Sequence, residues 1–245
     1  MTDTRSPDAR TGPRDPHNVA EELQNLLLGA DGVDAFLAGV ARAAIGTVAS
    51  AFSCGITVRS NRPSGMFGAT SDEFAATLDA IQYDVDDGPC LTCVRTVQVV
   101  SVEDIGADPR WPAFASRGRQ VGAGSSLSVP LKVRDGAVGA LNLYSRQVGA
   151  VTEADRLRAQ EFADQAAGAV ALALRLRERE ERTQHLEAAL SSRSVIDQAI
   201  GILIAQTHVT PNEAFELLRV RSQHSNQKLR DVAARLVEQT ARSTR

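Results

Sequence analysis

The chain has 245 residues, 43% hydrophobic and 23% charged, with a formal net charge of −3. That is room for one large or two small domains with a real core, and the charge argues against a uniformly basic nucleic-acid binder. No stretch reaches roughly 18 uninterrupted apolar residues, residues 1–15 lack the apolar region of a signal peptide, and Cys54, Cys90 and Cys93 are too few for a disulfide framework. A cytoplasmic location without membrane attachment is expected.

Charge is unevenly spread. Residues 191–245 hold eight basic and five acidic side chains, a net +3, which leaves −6 on the rest. Such a split reads as an acidic module joined to a mildly basic one.

Residues 1–15 are predicted to be disordered. Asp15-Pro16 has the cap-plus-proline form of a helix start, Val19, Leu23, Leu26 and Leu27 share a face, and Gly29 is a natural stop. A second helix over about 34–50 sets Phe36, Leu37, Val40, Ala44, Ile45 and Val48 at helical spacing. Residues 51–59 and 65–69 read as short strands around an Asn61-Arg62-Pro63-Ser64 turn. Ser71 is placed to cap a helix over 72–83, and Asp87-Gly88-Pro89 opens a turn into residues 90–97. Residues 97–102 are β-branched enough for a strand, and a loop-rich region holding Trp111 follows. Residues 127–133 and 137–145 form a predicted hairpin across Arg134-Asp135-Gly136. About five strands with helices before, between and after them predict an α+β fold with an antiparallel sheet.

Thr152 and Asp155 have capping-box form, and no breaker follows until about Val209 apart from Gly168 and Gly201. Arg175, Arg177, Glu178, Arg179, Glu180, Glu181 and Arg182 suit a solvated helix with i,i+4 pairs. Leu172, Leu176, Leu186 and Leu190 could form a dimeric seam, though not an unbroken heptad, so a coiled-coil linker is expected over 176–192. The run IDQAIGILIAQ at 196–206 reads as a helix about eleven residues long. Gly201 costs it about 1 kcal/mol against alanine, which predicts another helix approaching closely there. Thr210-Pro211-Asn212-Glu213 starts a helix with Ala214, Phe215, Leu217 and Leu218 as its apolar positions. Ser225 or Asn226 would cap a last helix carrying Leu229, Val232, Ala233, Leu236 and Val237. A three-helix unit results.

Cys90-Leu91-Thr92-Cys93 is a C-x-x-C after a turn, readable as a thiol redox pair or as packing. No second Cys/His pair stands at metal-site spacing, and no G-x-S-x-G, P-loop, H-E-x-x-H or triad pattern appears, so neither metal nor catalytic residues are expected. Phe67, Tyr83, Trp111, Phe114 and Tyr144, with Cys90 and Cys93, could line a sensor pocket for an unidentified small molecule, or simply be core. No cofactor is predicted.

The pattern over 194–239, through Ile196, Ala199, Gly201, Ile202, Leu203, Ala214, Leu218, Arg219, Ser222, Asn226, Leu229, Val232 and Ala233, resembles the ANTAR family of RNA-binding antitermination domains. Residues 33–175 resemble a GAF sensor domain, notably GPC at 88–90, RWP at 110–112 and VGALNLYS at 138–145. The order looks like that of actinobacterial regulators. The resemblance implies a GAF-like domain over 16–175, a helical linker over 176–192 and an ANTAR domain over 193–245. It further implies a homodimeric regulator that binds paired hairpins in nascent RNA, subject to an upstream signalling partner. Ile200 stands where many relatives carry lysine, which leaves Gln198, Gln206, Arg219, Arg221, Ser222, Asn226, Lys228 and Arg230 as candidate RNA contacts. A redox sensor built on Cys90 and Cys93, a protein-binding scaffold and a helix-turn-helix DNA binder are the alternatives.

Overall fold

The computed structural model describes residues 16–48, 50–59, 65–134 and 136–243. The tail at 1–15, the turn at 61–64 and Asp135 of the hairpin lie outside them. The chain divides into two compact units, Met1–Arg177 and Glu178–Arg245.

The first unit is an α+β fold. Helices α1 (Pro16–Gly29) and α2 (Val33–Ile45) precede strands β1 (Ser53–Arg59) and β2 (Met66–Thr70). Helices α3 (Glu73–Val85) and α4 (Pro89–Thr96), strand β3 (Val100–Val102) and helix α5 (Pro112–Gln120) lead to the hairpin of β4 (Ser125–Val133) and β5 (Gly136–Ser145). The sheet order is β2-β1-β5-β4-β3, and every neighbouring pair is antiparallel.

Alternation along each strand gives the sheet two different faces. One carries Cys54, Ile56, Val58, Leu127, Val129, Leu131, Leu141 and Leu143, buried with residues of α1 and α2. The start of α6 (Glu153–Thr207) closes the same face with Ala159, Phe162, Ala163, Ala166, Ala167 and Val170, a helical stripe whose small residues permit close approach. The opposite face, under α3, α4 and α5, is small and polar: Gly55, Thr57, Ser126, Ser128, Ala140, Asn142 and Tyr144.

Several local expectations are corrected. Asp72 rather than Ser71 caps α3, because its carboxylate accepts Ala75 N–H at 3.0 Å while Ser71 Oγ accepts the Cys54 N–H. The region around Trp111 is helical: Trp111 is the N-cap and Pro112 the first residue of α5. The strand expected over 97–102 shrinks to β3, since Val97 is the left-handed cap of α4 with φ 57°.

In the second unit α6 continues to Thr207 and is followed by α7 (Pro211–Ser225) and α8 (Leu229–Ser243). Ala199, Leu218, Val232 and Ala233 form its core, with Ile196, Ile200, Leu203, Leu229, Leu236 and Val237 packed around them. The run 196–206 is thus the last part of a 55-residue helix, not a separate short one. Gly201 is exposed, and a Cβ there would meet nothing within 4 Å, so the close helix approach expected at that turn is not made among the described residues. Thr210 and Glu213 form the expected capping box. Neither Ser225 nor Asn226 caps α8. Asn226 is the left-handed C-cap of α7 with φ 50°, a conformation asparagine tolerates. By length and composition alone, α6 holds one 18-residue window, with mean hydropathy 1.3, that is apolar enough to cross a bilayer. One such helix, whose Ile196, Ile200 and Leu203 pack on a protein core, is weak ground for a span.

Candidate functional sites

The interior beneath α3 and α4 is a polar network. The GPC motif builds one edge: Gly88, at φ 146°, leaves room for Gln82, whose Oε1 accepts the Cys90 N–H at 2.8 Å. Gln82 Nε2 donates to Tyr144 Oη (2.9 Å), and Tyr144 Oη donates to Asp79 Oδ1 (2.5 Å). Asn142 Nδ2 reaches Thr57 Oγ1 at 3.2 Å, Asp79 Oδ1 at 3.3 Å and Cys90 Sγ at 3.0 Å. The Cys90 thiol donates to Thr57 Oγ1, which also pairs with the Tyr83 hydroxyl at 2.6 Å. Any Cβ at Gly55 would collide with the Asp79 carboxylate, so this strand position is glycine to admit the acid.

Burial governs the electrostatics. Desolvation pushes the Asp79 carboxyl up to about 7, against hydrogen bonds from Tyr144 and Asn142 that pull it down. Burial, seconded by the Asp79 charge, also lifts the Cys90 thiol far above its ordinary value, and burial raises Cys93 to about 12. Burial and raised pKa values disfavour a nucleophilic thiolate at either cysteine, which counts against a redox pair. Asn142 Oδ1, Ser126 Oγ and Ser128 Oγ are buried without hydrogen-bond partners among the described residues; Ser128 lies opposite Asn142 and Ser126 opposite Tyr144 across the β4–β5 ladder.

Of the expected sensor residues, Cys90, Cys93, Trp111, Phe114 and Tyr144 share this one cluster. Tyr83 joins it through its hydroxyl while its ring stays at the rim. Phe67 does not: it packs with the aliphatic cluster on the other sheet face, beneath the Arg177 guanidinium at 5.0 Å, because strand alternation turns it away. RWP is structural, with Arg110 stacked on Trp111 at 4.3 Å and bonded to Asp108 at 2.6 Å. Asp79, Gln82 and Asn142 were missed as site residues. An acid, an amide and a glycine facing one another from different elements leave no local pattern in sequence.

In the second unit Gln198, Gln206, Arg219, Arg221, Lys228 and Arg230 are all exposed. Arg219 pairs with Glu216 at 2.7 Å and Arg230 with Asp231 at 3.3 Å. Both pairs lie in solvent, where screening leaves ion pairs weak. Ser222 and Asn226 do local work: Ser222 Oγ donates to Gln227 O at 2.5 Å, and the Asn226 and Gln227 N–H groups close the end of α7. Lys228 O accepts the first N–H bonds of α8, which places Lys228 at the turn between α7 and α8.

A GAF domain family model matches residues 30–171, more than half of the chain, and an ANTAR domain model matches 184–237. No curated protein matches the chain. Among solved structures, the GAF domain of an Acinetobacter phosphoenolpyruvate-protein phosphotransferase is 13% identical, covers 68% of this chain and 99% of its own, and superposes with a TM-score of 0.50. A free methionine-R-sulfoxide reductase from Neisseria meningitidis, in complex with its substrate, is 18% identical over 68% of this chain and 96% of its own, with a TM-score of 0.48. At such identities the likeness concerns the fold alone. A GAF domain followed by an ANTAR domain defines the architecture, and the chain belongs to the GAF–ANTAR family of signalling and transcription-regulatory proteins.

Proposed function

We propose that the chain is a non-enzymatic, cytoplasmic antitermination regulator whose C-terminal unit binds paired hairpins in nascent RNA as a homodimer under control of its sensor domain. The observation that carries this reading is the exposure of Arg219 and Arg221 on α7 and of Lys228 and Arg230 at the start of α8, inside the segment matched by the ANTAR model. Cations supply phosphate contact, and arginine also reads splayed loop bases. Ile200, in place of a lysine, packs on the core and adds no charge.

The test is binding of the full chain to a two-hairpin RNA and to matched duplex DNA across a salt series. RNA should bind more tightly, with an affinity that falls steadily with salt as counterions are released. Equal affinity for the DNA would sink specific RNA recognition. On the sensing side, the partnerless Asn142, Ser126 and Ser128 atoms support an unidentified small polar ligand on the polar sheet face. A thermal-shift screen of polar metabolites would show it as stabilisation lost in Asn142→Leu.

A further inference from the structure

Phe215 is the only aromatic residue in 178–245. It was expected on the apolar face of its helix, yet it is 38% exposed, while Ala214 and Leu218 beside it carry the burial. On α7, Phe215, Arg219 and Ser222 stand at i, i+4 and i+7 and so form one stripe of the helix surface. Arg219 is exposed on that stripe, and Arg221, Lys228 and Arg230 are exposed in the same unit. Glu216 and Asp231 each hold one of these cations and are the only acids ion-paired with α7 and α8 cations among the described residues. An apolar ring next to a guanidinium offers two surfaces on which unpaired bases stack, through the ring face and through cation–π contact. α7 itself is charge-balanced, but residues 211–245 hold seven basic and four acidic side chains, a net +3, which favours a nucleic acid over an apolar protein partner as the occupant.

We propose that Phe215 stacks on a base of the RNA hairpin loop, with Arg219 flanking it on the same stripe. The assignment rests on the RNA reading above and adds to it a stacking residue. The test uses the full chain and a two-hairpin RNA in which each loop adenine is replaced in turn by 2-aminopurine, whose fluorescence is quenched by stacking. Wild-type protein should change the quenching at a particular loop position. Phe215→Tyr should keep that signal, and Phe215→Leu should lose it and weaken binding about ten-fold or more. Thermal melting and sedimentation should be unchanged in both.

Unaltered affinity and signal in Phe215→Leu, with Arg219→Ala impaired, would overturn the stacking role and leave the RNA reading standing. A wild-type chain that binds no hairpin RNA would overturn both. A changed oligomeric state in Phe215→Leu would make Phe215 a contact between copies and likewise overturn the proposal. If the leucine variant melts differently, Phe215→Met, of similar size and without a ring, takes its place.

Discussion

Asp79 sets the chemistry of the sensor interior. It is a carboxyl taken wholly out of water, held by Tyr144 and Asn142, with its ionisation lifted to about 7. Because the folded value lies above the unfolded one of about 3.9, the folded state holds its proton more tightly than the unfolded chain. The associated stability is full below the unfolded value and is lost as pH rises through about 7. Denaturant midpoints measured from pH 4 to 8 should therefore fall across this range, and Asp79→Asn should flatten the slope. Parallel profiles for the two proteins would show that Asp79 is not the titrating group. The thiols give a second prediction at this scale. Cys90 and Cys93 are buried with raised pKa values, so a disulfide reagent at pH 8 should modify them only at the rate of unfolding, whereas immediate reaction of the native chain would revive the redox alternative.

Among the elements, α6 departs furthest from what its sequence suggests locally. Its first part buries an alanine-rich stripe, its middle is charged, and its end supplies Ala199 and Ile200 to a different core. Gly201 sits in that last part facing open space. Alanine there removes the entropic cost of glycine without a clash, so Gly201→Ala should stabilise the second unit by up to about 1 kcal/mol, read as a higher midpoint of its unfolding. Destabilisation instead would reveal a neighbour against that turn in the functional assembly. Cap positions were legible only in part. Thr210-Pro211-Asn212-Glu213 declares itself through spacing, whereas Asp72 and Ser71 are adjacent and equally suited, and the choice fell to Asp72 because Ser53 and Ser71 both donate to its carboxylate.

For the whole molecule, the open question is what covers the exposed leucines of α6. Leu172 and Leu186 are two heptads apart, as are Leu176 and Leu190, and Leu186 and Leu190 are 60% and 68% exposed. Arg179 and Thr183 hold the heptad positions between them, which is why the sequence shows no continuous seam. Covering these leucines in a homodimer would bring two C-terminal units together, as the proposed binding of paired hairpins requires. The double substitution Leu186→Lys with Leu190→Lys should leave the melting of the chain unchanged and convert a dimer to a monomer in sedimentation. A variant that sediments like the wild type would overturn a dimer seam at these leucines.

Periodicity and turn chemistry are properties of neighbouring residues, and they made the α+β class, the β4–β5 hairpin, the α7 capping box and the C-terminal helices legible along the chain. The side of the sheet that each aromatic faces is an outcome of packing, which sends Phe67 to the aliphatic core and Tyr144 to the polar one. Packing also brings Asp79, Asn142, Gln82 and Cys90 within bonding distance, leaves Phe215 partly exposed and buries both C-x-x-C thiols. These outcomes depend on register and on contacts between residues far apart in the chain, where a shift of a single position along a strand exchanges one face for the other.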